Sequence, residues 1–413
     1  MSDWSWFLLL TFDENAEKVQ EPRLLAGSWQ RDWGGTRPPR ILVVGSGDLA
    51  ARVLSLLAHS STPRVVGVLG RRADAVQRLS NLVRQTAIQH GGRVDVSAFH
   101  ADLSDEARTA TALGSFAPDI IFNAASIQSW HVVTGLSERR RQAIAKAHFG
   151  PWLPMHLAPV LKLMRAVRAC GSDALVINAA YPDAVHPVLA TANLSPHAGI
   201  GNVANPTAGL RLVAAAAIGC SVHDLTVRFI AHHYTSHRIG RSGNSGGAPC
   251  ALRFFLDGED VTRAAGDPEN LFAELARHHG RPSGMTGQTM TSASAMSILQ
   301  PLLDGTSRLA HSPGVDGRVG GYPVRVANRA IHVDLPHDID LATAQEINTQ
   351  AQVFDGIERI DSDGTVTFTD TAVDVMRSEL QYHCKRMPLT DVDECASELR
   401  RRYLDYAKVD AAA

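Results

Sequence analysis

The chain of 413 residues is 45% hydrophobic and 20% charged, and its net charge is −2. This is ordinary globular composition for one or two domains, and the near-neutral charge argues against nucleic acid or an anionic membrane as a partner. The five cysteines are scattered and form no Cys-x-x-Cys motif, so we expect free thiols in a reducing compartment.

The first residues carry no recognisable targeting signal. The apolar run in MSDWSWFLLLTF is short, follows Asp3 and has no basic flank. The longest apolar runs elsewhere fall below the roughly 18 residues that a membrane span needs. We therefore predict a cytoplasmic protein with no membrane partner.

Residues 1–38, which end in the linker-like stretch GGTRPPR, are predicted to be an extension. Strands then alternate with helices. The strands are predicted in RILVVGSG, PRVVGVLGRR, GRVDVSAFHADLS, PDIIFNAAS and DALVINAAYPD. This alternation predicts a doubly wound parallel sheet, an α/β Rossmann domain over residues 39–182.

The pattern changes after about residue 183. Helices are predicted in GLRLVAAAAIGC, DPENLFAELARHHG, SASAMSILQPLLDG, DLATAQEINTQAQVFDGIERI and residues 371–405. Strands are predicted in DLTVRFIAHHY, CALRFFLDGEDV and DGTVTFTD, with a hairpin in GYPVRVANRAIHVDLP. Residues 183–413 are therefore predicted to form an α+β domain for substrate binding and oligomerisation.

A glycine-rich turn follows the first strand and opens a helix, with the sequence Gly45-Ser46-Gly47-Asp48-Leu49-Ala50. The first glycine of such a GxGxxA motif allows the tight turn, and the second lets a pyrophosphate approach the helix N-terminus. Because a second strand follows the helix, this context predicts a dinucleotide site that includes residues 45–49.

The second strand ends in Gly70-Arg71-Arg72, where NAD-binding domains usually carry an acidic residue. A guanidinium can bind the 2′-phosphate of NADP through two hydrogen bonds. We therefore expect NADP rather than NAD, although the two arginines can also be solvated residues at a helix start.

The fourth and fifth strands both end in Asn-Ala-Ala, at Asn123-Ala124-Ala125 and at Asn178-Ala179-Ala180. Ligands of such sheets bind at the carboxyl ends of the strands. We predict that Asn123, Ala124 and Ala125 contact the cofactor and that Asn178 contacts the substrate. Either asparagine can instead cap the next helix.

The stretch RFIAHHYTSHR contains His232, His233 and His237. These histidines are compatible with a metal site, with an acid–base centre or with a solvated strand end. Because side chains alternate along a strand, we expect only one of His232 and His233 to face a site.

The order of these motifs over residues 40–380 resembles the lactate/malate dehydrogenase superfamily. The shared order is a glycine turn, an Asn-Ala-Ala loop, a long helix, a strand ending in an asparagine, a turn and helix, a strand followed by histidine, and a late hairpin. The resemblance implies an oligomeric oxidoreductase, with no metal, in which His233, or else His232, exchanges a proton with a small-molecule substrate.

The sequence departs from that family in the turn and helix before the histidines. The family has an acid that orients the histidine and an arginine that binds a carboxylate, whereas this chain has NPTAGLR at residues 205–211. Asp183 is a candidate for the missing acid, or a cap of the helix that follows it. The missing groups leave a non-catalytic NADP-binding protein as an alternative.

Residues 40–130 are also similar to saccharopine-dehydrogenase-type Rossmann domains, which implies imine or amine chemistry as a second alternative. The preferred hypothesis is an NADP-dependent oxidoreductase that transfers hydride between the nicotinamide and a C–OH/C=O centre.

Overall fold

The computed structural model describes residues 37–411 other than Ser283, including all side chains except those of Trp130, His131, Asp410 and Ala411. Residues 1–36 of the predicted extension therefore lie outside the described residues. The strands are β1 (Arg40–Val44), β2 (Arg64–Gly70), β3 (Val94–His100), β4 (Ile120–Asn123), β5 (Leu175–Asn178), β6 (Ala198–Gly199), β7 (Leu225–Ile230), β8 (Ala251–Leu256), β9 (Glu259–Asp260), β10 (Arg308–Pro313), β11 (Gly321–Ala327), β12 (Ala330–Val333), β13 (Ile357–Ile360), β14 (Val366–Phe368) and β15 (Arg386–Met387).

The helices are α1 (Asp48–Ala58), α2 (Ala73–Gln89), α3 (Glu106–Phe116), α4 (Glu138–Ala145), α5 (Leu153–Ala169), α6 (Pro182–Ala190), α7 (Ala204–Ile218), α8 (His233–Ser242), α9 (Thr262–Ala265), α10 (Pro268–His279), α11 (Gln288–Asp304), α12 (Leu341–Gln352), α13 (Asp370–Leu380) and α14 (Val392–Ala411). No helix in this described part of the chain is long and apolar enough to cross a membrane.

The first six strands form one parallel sheet in the order β3-β2-β1-β4-β5-β6. This is the strand order of a Rossmann domain, and it confirms the predicted fold class. The register places Val44 beside both Leu69 and Asn123, and Asn123 beside Asn178. The carboxyl ends of four strands therefore meet at one edge of the sheet.

The central strands are apolar throughout because helices cover both faces of the sheet. In β1, Ile41 and Val43 pack into the core on the face of α1, whereas Leu42 and Val44 pack into the core on the face of α5. These four residues are at most 1% exposed. The alternation follows from the two-residue period of a strand.

The later part of the chain contains three small sheets, β7-β8-β9, β10-β11-β12 and β13-β14-β15. The hairpin predicted around residues 321–336 is confirmed as β11 and β12, whereas β10 was not predicted. Residues 371–405, which were predicted to be helical, contain two helices with a break between them. Gln381 ends α13 with a φ of 52°, Pro388 lies before α14, and β15 separates the two helices.

Candidate active site

A cleft of about 350 Å³ opens at the carboxyl ends of β1, β2 and β4. Seven of the residues that the sequence assigned to the cofactor line it, namely Gly45, Ser46, Gly47, Arg71, Arg72, Ala124 and Ala125. The glycine turn, the end of β2 and the loop after β4 therefore meet in one place, as ligand binding at the strand ends requires.

The two glycines of the turn serve different purposes. Gly45 has a φ of +114°, and a Cβ there would lie 3.2 Å from the carbonyl carbon of Ala124. Gly47 precedes α1 without a side-chain cap, and a Cβ there would meet no atom within 4 Å. The space beside Gly47 is therefore open at the N-terminus of α1, and a helix N-terminus suits a phosphate group.

Asp48 and Leu49 direct their side chains away from that space. The Asp48 carboxylate accepts a hydrogen bond from Arg52 Nε at 2.8 Å, and Leu49 packs against the hydrophobic core. Their contribution to an anion site would therefore come from the backbone at the start of α1.

Arg71 and Arg72 are both exposed, and neither has an ion-pair partner among the described residues. The cleft also contains Asp102, whose pKa is lowered first by hydrogen bonds from Ser104 and then by the nearby charges of Arg71 and Lys162. The two guanidinium groups are therefore available to an anionic ligand at the end of β2.

Asn123 and Asn178 are fully buried and hydrogen-bonded to each other, with 2.8 Å between Asn123 Nδ2 and Asn178 Oδ1. Asn178 Nδ2 also donates to the Ala180 carbonyl and lies 3.1 Å from His186 Nε2, while Oδ1 accepts from the Ala180 N–H. This network uses the full capacity of the Asn178 amide. The arrangement favours a positioning role at the strand ends over direct contact with a substrate.

The histidines lie at the turn from β7 into α8. β7 ends at Ile230, His232 occupies the N-cap position of α8 without a side-chain cap hydrogen bond, and His233 is the first residue of that helix. The strand alternation used to choose between His232 and His233 does not apply, because both lie beyond the last residue of β7. Nδ1 of His233 lies 2.8 Å from Asp355 Oδ2, and Nδ1 of His232 lies 3.8 Å from the same oxygen.

Asp355 is the carboxylate that the sequence did not reveal. It ends a short 3-10 turn after α12 and is 2% exposed. Its Oδ2 accepts from the Tyr181 hydroxyl at 2.7 Å, and its Oδ1 accepts from the Phe149 N–H at 3.4 Å. Asp355 thus joins three distant segments of the chain around His233.

The charges of this pair stabilise each other. Burial alone would lower the pKa of His233, but the adjacent Asp355 carboxylate outweighs burial and raises it. Burial alone would raise the pKa of Asp355, but His233, His232 and the Tyr181 hydroxyl hold it well below its usual range. Because Asp355 is ionised, it can only accept, so His233 Nδ1 carries the proton of this hydrogen bond.

The other nitrogen, His233 Nε2, has no hydrogen-bonding partner among the described residues, and the side chain is 14% exposed. The ring packs against Phe149, at a centroid distance of 4.7 Å, and against His237, at 5.6 Å. An imidazole held in this way can gain or lose a proton at Nε2.

His232 and His237 differ from His233. His232 is fully buried, neither of its ring nitrogens has a hydrogen-bonding partner among the described residues, and burial lowers its pKa. Burial, followed by the charge of His233, lowers the pKa of His237 to about 3. Burial therefore favours the neutral form of both rings. Within the described residues, no group of three or more His, Cys, Asp or Glu side chains is placed to hold a metal ion.

Asp183 is the second residue of α6 and is fully buried. Its Oδ2 accepts from the Asn202 amide, and it makes no cap hydrogen bond. Burial raises its pKa, although the charges of His232 and His233 act in the opposite direction. The cap predicted as one alternative is therefore wrong, and Asp355 rather than Asp183 holds the histidine.

Arg281 is a second residue without a signal in the sequence. Its Nη2 donates to the Gly287 carbonyl at 2.9 Å and to Thr291 Oγ1 at 2.8 Å, and burial lowers its pKa to about 10. Its charge acts on His233 and His237. Arg281 therefore brings a fixed positive charge towards the histidines from the segment between α10 and α11.

Helix α5 connects the histidine cluster with the cleft. Its first turn carries His156, whose ring lies 5.1 Å from that of Phe149, itself in contact with His233. Ala158 and Pro159, which follow after Leu157, line the cleft. The two regions are thus built on neighbouring turns of one helix.

Comparison with solved structures shows what this architecture is similar to. Lactate dehydrogenase from Eimeria maxima, solved with NADH and oxamate, aligns with a TM-score of 0.51 and 14% identity over 77% of this chain and 94% of that one. The chain has the fold of lactate and malate dehydrogenases. Malate dehydrogenase from Cryptosporidium parvum aligns with a TM-score of 0.50 and 12% identity, over 76% of this chain and 98% of that one.

Lactate dehydrogenase from Cryptosporidium parvum gives the same result, with a TM-score of 0.50 and 13% identity over 77% of this chain and 99% of that one. No protein-family model and no curated protein matches the sequence. The predicted resemblance is therefore confirmed at the level of the fold.

Proposed function

We propose that this protein is an NADP-dependent oxidoreductase that transfers hydride between the nicotinamide and a C–OH/C=O substrate, with His233 as the acid–base group. The observation that carries the proposal is the pair of His233 and buried Asp355, whose geometry leaves Nε2 open. The relatives that share the fold include a lactate dehydrogenase solved with NADH and oxamate, which supports a nicotinamide cofactor.

The residues of the cleft fit such a cofactor. The open space at Gly47 accommodates a pyrophosphate against the start of α1. The unpaired Arg71 and Arg72 at the end of β2 favour the 2′-phosphate of NADP. When bound, the nicotinamide supplies or accepts the hydride.

His233 then moves the proton that accompanies the hydride. In carbonyl reduction, protonated Nε2 donates to the substrate oxygen, and in alcohol oxidation neutral Nε2 accepts the hydroxyl proton. Asp355 fixes the ring and stabilises its charged form, as second partners of catalytic histidines generally do. Asp355 also supplies the acid whose apparent absence favoured a non-catalytic protein.

The substitution His233→Gln tests the proposal. We expect turnover of a panel of 2-oxo acids, ketones and aldehydes with NADPH to fall by about 100-fold or more, because general acid–base catalysis is lost. NADPH affinity, followed by nicotinamide fluorescence, should stay unchanged.

The matched control is His278→Gln. His278 is exposed and lies 3.2 Å from Glu274, so this variant should keep full activity. If His233→Gln turned substrate over as fast as the wild type, the assignment of His233 as the acid–base group would be contradicted. Tight NADPH binding by the wild type without turnover of any carbonyl would favour the non-catalytic alternative.

A further inference from the structure

We propose that the C-terminal helix α14 completes the cofactor site, with Arg400 and Arg401 joining Arg71 to bind the 2′-phosphate of NADP. This inference rests on the proposed function and names the part of the chain that selects its cofactor.

A second cavity, of about 370 Å³, adjoins the cofactor cleft. Arg71 and Ile127 line both spaces. The rest of the second cavity is lined only by α14, between Ala396 and Lys408. Arg71 therefore stands at the boundary between the cofactor cleft and a pocket that the C-terminal helix builds.

The charge of this second cavity is predominantly positive. Arg71, Arg400, Arg401 and Lys408 line it, against the single carboxylate of Asp405. Lys408 Nζ lies 3.4 Å from Asp405 Oδ1, so these two charges largely offset each other.

The charges of Arg400 and Arg401 are less well neutralised by nearby carboxylates. Arg401 Nη2 lies 3.9 Å from Glu398, at the outer limit of an ion pair, and Arg400 has no ion-pair partner among the described residues. Converging guanidinium groups with open donors are suited to a phosphate dianion, which accepts several charge-assisted hydrogen bonds.

The helix is firmly attached, so its arginines hold their place. Leu399 and Tyr403 are 0% and 3% exposed on the face of α14 that packs against the body of the protein. Lys162, which lines the cofactor cleft, pairs with Asp393 in the first turn of α14 at 2.6 Å. The cleft wall and the helix are thus tied together directly.

The position of the pocket favours the 2′-phosphate over other anions. In a dinucleotide-binding domain the adenosine ribose lies beside the end of the second strand, which is where Arg71 follows Gly70. A phosphate on that ribose would lie next to Arg71, on the side where the second cavity opens.

The test compares Arg400→Gln/Arg401→Gln with the control Arg402→Gln. Arg402 is the next residue of the same helix, but it lines a different cleft with Arg139 and Gln381. Dissociation constants are measured by calorimetry on the full chain for NADPH, NADH, adenosine 2′,5′-bisphosphate and 5′-AMP.

We expect the double variant to bind NADPH and adenosine 2′,5′-bisphosphate about 10-fold or more weakly, because charge-assisted hydrogen bonds are lost. Binding of NADH and 5′-AMP should not change, and Arg402→Gln should match the wild type for all four ligands.

Three results would overturn the inference while leaving nucleotide binding intact. They are a wild type that binds NADH as tightly as NADPH, a double variant with wild-type affinity for NADPH, and a double variant that loses NADPH and NADH equally. A wild type that binds neither dinucleotide would refute the proposed function itself, and this inference with it.

Discussion

At the scale of single residues, the position of His233 is set by side chains that are distant in sequence. Asp355 accepts from its ring, and Tyr181 donates to the same carboxylate oxygen. Phe149 covers the ring from one side. The charge state of His233 therefore depends on a carboxylate 122 residues away.

The substitution Asp355→Asn tests whether the Asp355 carboxylate sets the pKa of His233. The amide cannot stabilise the imidazolium, so burial would dominate and the pKa of His233 would fall. Carbonyl reduction needs protonated His233, and its rate declines as pH rises through that pKa. We expect the decline to move to lower pH in the variant, with the maximal rate reduced by at least about 10-fold.

The pH profile of kcat and the NMR titration of His233 both measure this change. Asp361→Asn is the control, because Asp361 pairs with Arg359 on a partly exposed hairpin. An Asp355→Asn profile that coincides with the wild-type profile would mean that His233 is not the titrating group.

At the scale of elements, the glycine turn and α1 were predicted correctly because their signals are local. The strand, the turn and the helix follow one another within residues 40–58. The turn at β7 was predicted less well. The apolar pattern of β7 continues to Ala231, so the helix that begins at His233 has no apolar start signal of its own.

The substitution Gly47→Ala tests whether the glycine turn binds the pyrophosphate. The φ of Gly47 is −87°, and the added methyl meets no protein atom within 4 Å, so the variant should fold normally. The methyl would occupy space at the helix N-terminus, and we expect NADPH affinity to fall about 10-fold.

Gly114→Ala is the matched control for that variant. Gly114 lies within α3, and a methyl there also meets no atom within 4 Å. It should leave NADPH affinity unchanged and add up to about 1 kcal/mol of stability through helix propensity. Equal NADPH affinity in Gly47→Ala and the wild type would place the pyrophosphate elsewhere.

At the scale of the whole molecule, the two predicted domains share a hydrophobic core. One buried cluster contains Ile41 and Phe122 from the parallel sheet together with Ile298 and Leu302 from α11. Contacts group residues from Pro39 onward into one unit. The predicted division into a Rossmann domain over residues 39–182 and an α+β domain over residues 183–413 stays a prediction.

Removing the ion pair of Arg64 and Asp304 tests whether the two predicted domains are stabilised together. Arg64, on β2, is 3% exposed and lies 2.7 Å from Asp304, at the end of α11. Asp304→Ala leaves a buried guanidinium without its partner, and we expect a loss of about 2–4 kcal/mol in the free energy of unfolding.

Urea unfolding followed by circular dichroism and by tryptophan fluorescence should show a single coincident transition, shifted to lower urea in Asp304→Ala. Asp74→Ala removes an exposed ion pair on α2 and should leave the midpoint unchanged. Two separate transitions in the wild type would show that the halves unfold independently.

The Rossmann domain and the cleft at its strand ends could be predicted from the sequence alone. Alternating strands and helices, the GxGxxA turn and the arginines after β2 are local patterns, and parallel strands bring their carboxyl ends together without further information. The order of motifs in the sequence also indicated His233 as the candidate acid–base group.

The side chains that surround these residues could be identified only in the folded chain. Asp355 and Arg281 lie in turns with no distinguishing pattern, and Arg400 lies on a helix whose charged residues resemble any solvated face. Their surroundings come from packing between segments that are far apart in the chain, because burial and charge pairing depend on distances in space. No spacing within the sequence encodes those distances.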